Sequence, residues 1–196
     1  MKTLSLKKFE KAGCTVEEAA RRIRLVALDV DGVLTNGLIG YTGTPDEIKF
    51  FHVRDGSGIT MLRRTGLVVG VISGRRSKAN QFRAAELKLD FLVEECWNKA
   101  LSLENIASER GLSTGECLFL GDDMIDGHAL ATAGIGVAVG DASPEVLPAA
   151  DLQTEAFGGH GAVRETAEWL MKLQGTWESQ LLHYSCLLYT SPSPRD

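Results

Sequence analysis

Short apolar runs recur along the chain, and most of them end on a charged or hydroxyl-bearing residue. RLVALDV (24–30) runs into Asp-Gly, and LVVGVIS (67–73) into Gly-Arg. DFLVEE (90–95) leads to a lysine, and CLFLG (117–121) to Asp-Asp. Runs this short, apolar without alternation, fit strands covered on both faces. GVAVG (136–140) and ADLQT (150–154) read the same way. Between them lie helical patterns at 58–66, 77–88, 98–111, 124–134 and 161–174. An opening helix at 15–23 has Thr15 as N-cap and Glu18 completing a capping box. Strand and helix alternate about every 20–30 residues, which predicts an α/β fold with a Rossmann-like, doubly wound parallel sheet. One stretch breaks the rhythm. GLIGY and IKFFHV flank TGTPDE, which predicts a β-hairpin insertion over 37–53.

Ligands of such sheets sit beyond the carboxyl ends of the strands, so the residues there carry the functional reading. Asp29 and Asp31 stand two apart beside an apolar strand, a costly arrangement unless a cation pairs them. Oxygen donors of this kind suit Mg²⁺. Ser73 and Gly74 offer a hydroxyl and loop amides for a phosphoryl oxygen. Lys99 opens a helix against the dipole preference, which a nearby anion explains. Asp122, Asp123 and Asp126 crowd a strand-to-helix junction. Taken singly, each is as compatible with an ordinary turn, a solvated lysine or an acidic helix start. Four in order at successive strand ends converge on one edge of a parallel sheet.

Composition narrows the classes. The 196 residues are 44% hydrophobic, enough for one core, and 1–184 are taken as a single domain. The remaining SCLLYTSPSPRD (185–196) is similar to translated adapter sequence and is set apart as a non-native or disordered tail. A net charge of −5 with no basic stripe argues against nucleic-acid partners. Four cysteines without a C-x-x-C pair read as reduced thiols, and four scattered histidines as no zinc site. No apolar run approaches the ~18–20 residues of a membrane span, and the charged N-terminus lacks a secretory apolar region. These features predict a cytoplasmic protein with no membrane partner.

DVDGVLT, ISGR, NKA and GDDMID resemble, in order, the four motifs of the haloacid dehalogenase superfamily of aspartate-nucleophile phosphatases. Within it, TNG, FHVRDGSGI (51–59), GVAVGDASPEV (136–146) and GGHGAVRE (158–165) are similar to the 3-deoxy-D-manno-octulosonate 8-phosphate phosphatases, and the likeness spans 16–184. The resemblance implies Asp29 as nucleophile and Asp31 as general acid, then base. Ser73, Gly74 and Lys99 would hold the phosphoryl group. Mg²⁺ would lie between Asp29, the Asp31 carbonyl and Asp122, with Asp126 in support. Thr35 and Arg75 would meet the sugar acid, the guanidinium engaging its carboxylate. The intervals between motifs leave no room for a large cap, so the expected enzyme is capless. The family's homotetramers close the site with neighbouring subunits, their hairpins forming a central barrel. The G-G-x-G stretch would approach an active site, its own or a neighbour's. One departure stands out. Glu94-Glu95-Cys96-Trp97 replaces the family's Gly/Gln-containing loop, which predicts extra negative charge beside the phosphate site. Readings of other classes are a phosphoacceptor signalling domain and a non-catalytic oligomeric subunit. The order of the acidic motifs disfavours the first, and the complete set of side chains disfavours the second.

Overall fold

Thr15 caps the first helix as expected: its hydroxyl accepts the Glu18 N–H at 3.2 Å, and the Glu18 carboxylate accepts the Thr15 N–H at 2.8 Å. The computed structural model describes residues 4–6, 9, 13–43 and 46–189. Helix α1 (Val16–Arg22) leads into β2 (Leu25–Leu28), after a short β1 (Ser5–Leu6) that the sequence did not announce. Then come the paired β3 (Gly40–Tyr41) and β4 (Glu47–Ile48), α2 (Val53–Arg64), β5 (Val68–Ile72), α3 (Lys78–Glu86) and β6 (Phe91–Val93). Helix α4 (Lys99–Ser108), β7 (Cys117–Gly121), α5 (Gly127–Thr132), β8 (Ile135–Ala138), β9 (Leu152–Gln153), α6 (Ala162–Leu173) and α7 (Trp177–Tyr189) complete the chain.

Six strands pair in parallel in the order β9-β8-β7-β2-β5-β6, and β1 adds an antiparallel edge on β9. Every residue of β2, β7 and β8 is buried, as continuous apolar runs require when helices cover both faces. The order reverses direction after β6. Right-handed crossovers therefore put α2 and α3 on one face and α4 and α5 on the other. Consistent with this, α6 packs on α1 and α2, and α4 packs on α5. The hairpin and α2 occupy the β2–β5 interval, and α4 with one 3₁₀ turn the β6–β7 interval. Among the described residues neither interval holds a cap.

Two boundaries moved for physical reasons. Helix α2 starts at Val53 and runs through Gly56 and Gly58, where a helix from residue 58 was expected. A Cβ on Gly58 would lie 3.1 Å from the Arg164 Cα and 3.3 Å from the Ala167 Cβ, so this glycine permits close packing of α2 on α6. The expected 124–134 helix divides into a 3₁₀ turn, Met124–Asp126, and α5. The Asp126 side chain folds back onto the amides of Asp122 and Asp123, which tightens that first turn. At the other end, α7 continues past residue 184 to Tyr189, and 190–196 lie outside the described residues.

Candidate active site

The sheet order makes neighbours of β7, β2, β5 and β6, and each delivers one of the expected groups at its carboxyl end. Asp29 follows β2, Ser73 follows β5, Lys99 begins α4 after β6, and Asp122 follows β7. Asp29, Ser73, Lys99 and Asp126 are all buried. Backbone bonds fix the loops: the Asp29 N–H donates to the Leu120 carbonyl (3.0 Å) and the Ser73 N–H to that of Val93 (2.8 Å).

Lys99 sits between two carboxylates, with Nζ 2.8 Å from Asp29 Oδ1 and 2.6 Å from Asp126 Oδ1. The second Asp126 oxygen accepts the amides of Asp122 (3.0 Å) and Asp123 (3.3 Å). Asp126 therefore orients both the lysine and the Asp122 loop. Carboxylate oxygens of Asp29, Asp122 and Asp126 lie within 4.8 Å of one another. Burial, then Asp126, lifts the Asp29 carboxyl to about 7 against the pull of Lys99. Burial, then Asp29 and Asp126, lifts Asp122 to about 8. Burial works against the Lys99 charge, but the two carboxylates beside it prevail and raise its pKa. Three carboxylates facing one ammonium are short of positive charge. An all-oxygen donor set with that deficit fits a hard divalent cation such as Mg²⁺.

Asp31 joins this edge through a partner the sequence did not reveal. The Lys49 ammonium, its side chain wholly buried, donates to Asp31 Oδ2 at 2.9 Å and lies 2.7 Å from Oδ1. Thr35 sits inside the loop. Its hydroxyl donates to the Val30 carbonyl and accepts the Gly32 and Gly37 amides, so it shapes the turn behind Asp29 and Asp31. Gly74 follows Ser73, whose hydroxyl accepts the Arg75 N–H at 3.2 Å. The Arg75 guanidinium pairs with Glu47 on the hairpin, and its side chain is about half exposed.

In the departing loop, Glu94 accepts the Ser77 N–H (2.9 Å) and the Gln81 amide (2.8 Å). Its charge therefore serves the start of α3. Trp97 is 79% exposed at the rim of the cleft that Lys99 lines. The G-G-x-G stretch rests on its own subunit's loop. The Gly159 N–H donates to the Val33 carbonyl at 2.9 Å, and a Cβ on Gly158 would come within 1.6 Å of the Gly32 oxygen.

A parallel sheet that gathers an Asp-x-Asp loop, a serine, a lysine and an acidic pair at four adjacent strand ends defines a haloacid dehalogenase-like hydrolase. The model of that description matches residues 72–163. The 3-deoxy-D-manno-octulosonate 8-phosphate phosphatase of Escherichia coli K12 is 38% identical over 156 residues, covering 80% of this chain and 83% of its own length. The Moraxella catarrhalis enzyme of that name, solved with magnesium, phosphate and a KDO molecule, superposes with a TM-score of 0.84 at 32% identity, covering 86% of this chain and 97% of that one. The Yersinia pestis enzyme superposes at 0.80 with 37% identity, covering 83% and 88%. The chain belongs to the family of the 3-deoxy-D-manno-octulosonate 8-phosphate phosphatases, and it is a phosphatase.

Proposed function

We propose that the chain hydrolyses 3-deoxy-D-manno-octulosonate 8-phosphate to the free sugar acid and phosphate, with Mg²⁺ and through an aspartyl phosphate on Asp29. The observation that carries this reading is the cluster of buried Asp29, Lys99 and Asp126 with partly exposed Asp122 at adjacent strand ends. The relative solved with magnesium, phosphate and a KDO molecule supports the substrate.

Asp29 and Asp122 would hold the ion with the Asp31 carbonyl, and Asp126 would keep the Asp122 loop in place. When bound, Mg²⁺ supplies the positive charge that lets one anion approach another. The chain's own groups do the rest. An Asp29 oxygen bonds to phosphorus as the phosphorus–oxygen bond to the sugar breaks, and Asp31 gives its proton to the departing alkoxide. A water oxygen then bonds to phosphorus and loses a proton to Asp31, and Asp29 leaves as a carboxylate. Lys99, and Ser73 with the Gly74 amide, balance the phosphoryl oxygens throughout. Arg75 is the residue we assign to the sugar-acid carboxylate; Glu47 pairs with it from the hairpin.

The reading includes a cytoplasmic homotetramer. No described helix is long and apolar enough to cross a membrane. Leu38, Tyr41, Ile48, Phe50 and Val53 expose apolar side chains along the hairpin and its flanks, a surface suited to burial between copies.

A panel of sugar phosphates assayed with Mg²⁺, for wild type and Asp29→Asn, tests the function. Preference for the octulosonate ester over a nonulosonate 9-phosphate and other esters, lost in Asp29→Asn, is the expected result. Equal turnover of all esters removes the substrate, and full activity in Asp29→Asn removes the nucleophile.

A further inference from the structure

The hairpin carries a chain of alternating charges, Asp31, Lys49, Glu47 and Arg75, from one catalytic loop to the other. Glu47 and Lys49 are two apart on the β4 side, so both point to the same face, while Ile48 and Phe50 point to the opposite one and are exposed. The inward face is the charged one. Lys49 lies 2.7 Å from Asp31 Oδ1 and 3.7 Å from Glu47 Oε2, with its side chain entirely out of solvent. Glu47 in turn pairs with Arg75, whose backbone N–H donates to the Ser73 hydroxyl. Burial raises the Glu47 pKa, but Arg75 and Lys49 outweigh it and hold this carboxyl below its usual range.

A buried ammonium is costly unless it is paired, and here the partner within hydrogen-bonding distance is Asp31. The Asp31 side chain remains 20% exposed, so one carboxylate is gripped from the hairpin while still reachable from solvent. We propose that Lys49 is the positioning residue for Asp31, fixing the carboxyl that trades protons with the leaving group and the water. Through Glu47 and Arg75 the same strut sets the Ser73 loop. Hairpin placement and proton transfer are thereby one mechanical unit. This inference rests on the phosphatase reading above.

Asp31 matters most when the leaving group needs a proton, so esters of different leaving groups isolate the effect. Lys49→Met and Lys49→Gln should lose about 100-fold in kcat on an alkyl phosphate, the scale of a misplaced catalytic group. The loss on p-nitrophenyl phosphate, whose leaving group needs no proton, should be several-fold smaller. KM should stay within about twofold, and Lys49→Arg should recover part of the lost rate. Wild type, Asp29→Asn and Asp31→Asn are read alongside. If wild type turns over neither ester, or Asp29→Asn stays active, the phosphatase reading itself fails. If wild type is active and Asp31→Asn shows the leaving-group split, but folded Lys49 variants lose both esters equally or lose nothing, the role of Lys49 is overturned. If Lys49→Met does not fold, the Gln and Arg variants decide, since both keep a hydrogen-bond donor on the side chain facing Asp31.

Discussion

Asp29, Asp122 and Asp126 share one buried ammonium, and that imbalance fixes how the site responds to pH and metal. The Asp29 and Asp122 carboxyls rise from an ordinary 3.8 to about 7 and about 8 in the folded chain. Raised carboxyls favour the folded, metal-free state below about pH 4, and that contribution is lost as pH climbs through about 8. Mg²⁺ binds the ionised forms, so its stabilisation should grow over the same interval. Thermal melting with and without Mg²⁺ should therefore show a larger gain at about pH 8 than at about pH 6. A gain that shrinks with pH contradicts this electrostatic account. Asp126 is a second test at this scale. Asp126→Asn removes the charge facing Lys99 and leaves one acceptor where two are needed. It should cost about 1–3 kcal/mol of stability in a denaturant titration and lower kcat at least about tenfold.

The elements follow the sequence wherever periodicity decides them. The buried runs at 24–30, 67–73 and 117–121 became β2, β5 and β7, because strands covered on both faces need continuous apolar side chains. Asp29, Ser73 and Asp122 were legible for the same reason: a polar residue directly after such a strand has one address in a parallel sheet, and Lys99 was legible as the first residue of the helix that follows β6. What stayed hidden depends on long-range contact. Lys49 looks like a surface residue in IKFF, and only the folded hairpin shows that the charged face of β4 points inward. Glu94 reads as a charge beside the phosphate site, and only the fold shows that its carboxylate also accepts the Ser77 N–H and the Gln81 amide at the start of α3. The start of α2 reads five residues late in the sequence because the packing partners of Gly56 and Gly58 lie on distant elements, Arg83 and α6. The G-G-x-G stretch makes a prediction at this scale. Gly158 lies against the Gly32 backbone, which cannot move aside as a flexible side chain would. Gly158→Ala should destabilise the fold by about 1–3 kcal/mol and shift the loop carrying Asp29 and Asp31, lowering kcat. Unchanged melting and kinetics would show that this contact is slack.

At the scale of the whole molecule, a capless sheet leaves the site open from above, and the outward face of the hairpin is apolar where a lone subunit would be polar. Both observations suit an assembly in which copies meet through residues 37–53. Tyr41→Ser with Phe50→Ser should lower the mass measured by light scattering and reduce turnover together. Loss of assembly with full activity would separate the two. The central claim is that the Asp29 side chain, and not water, makes the first bond to phosphorus. It is tested most directly by acid-quenching Asp31→Asn during turnover of p-nitrophenyl phosphate, then mapping any phosphoryl adduct by borohydride reduction and peptide mass analysis. The account predicts one adduct per chain at Asp29, because the first displacement needs no acid for this ester while the second lacks its base. Nitrophenol release with no covalent phosphoryl group, or an adduct on another residue, would contradict it.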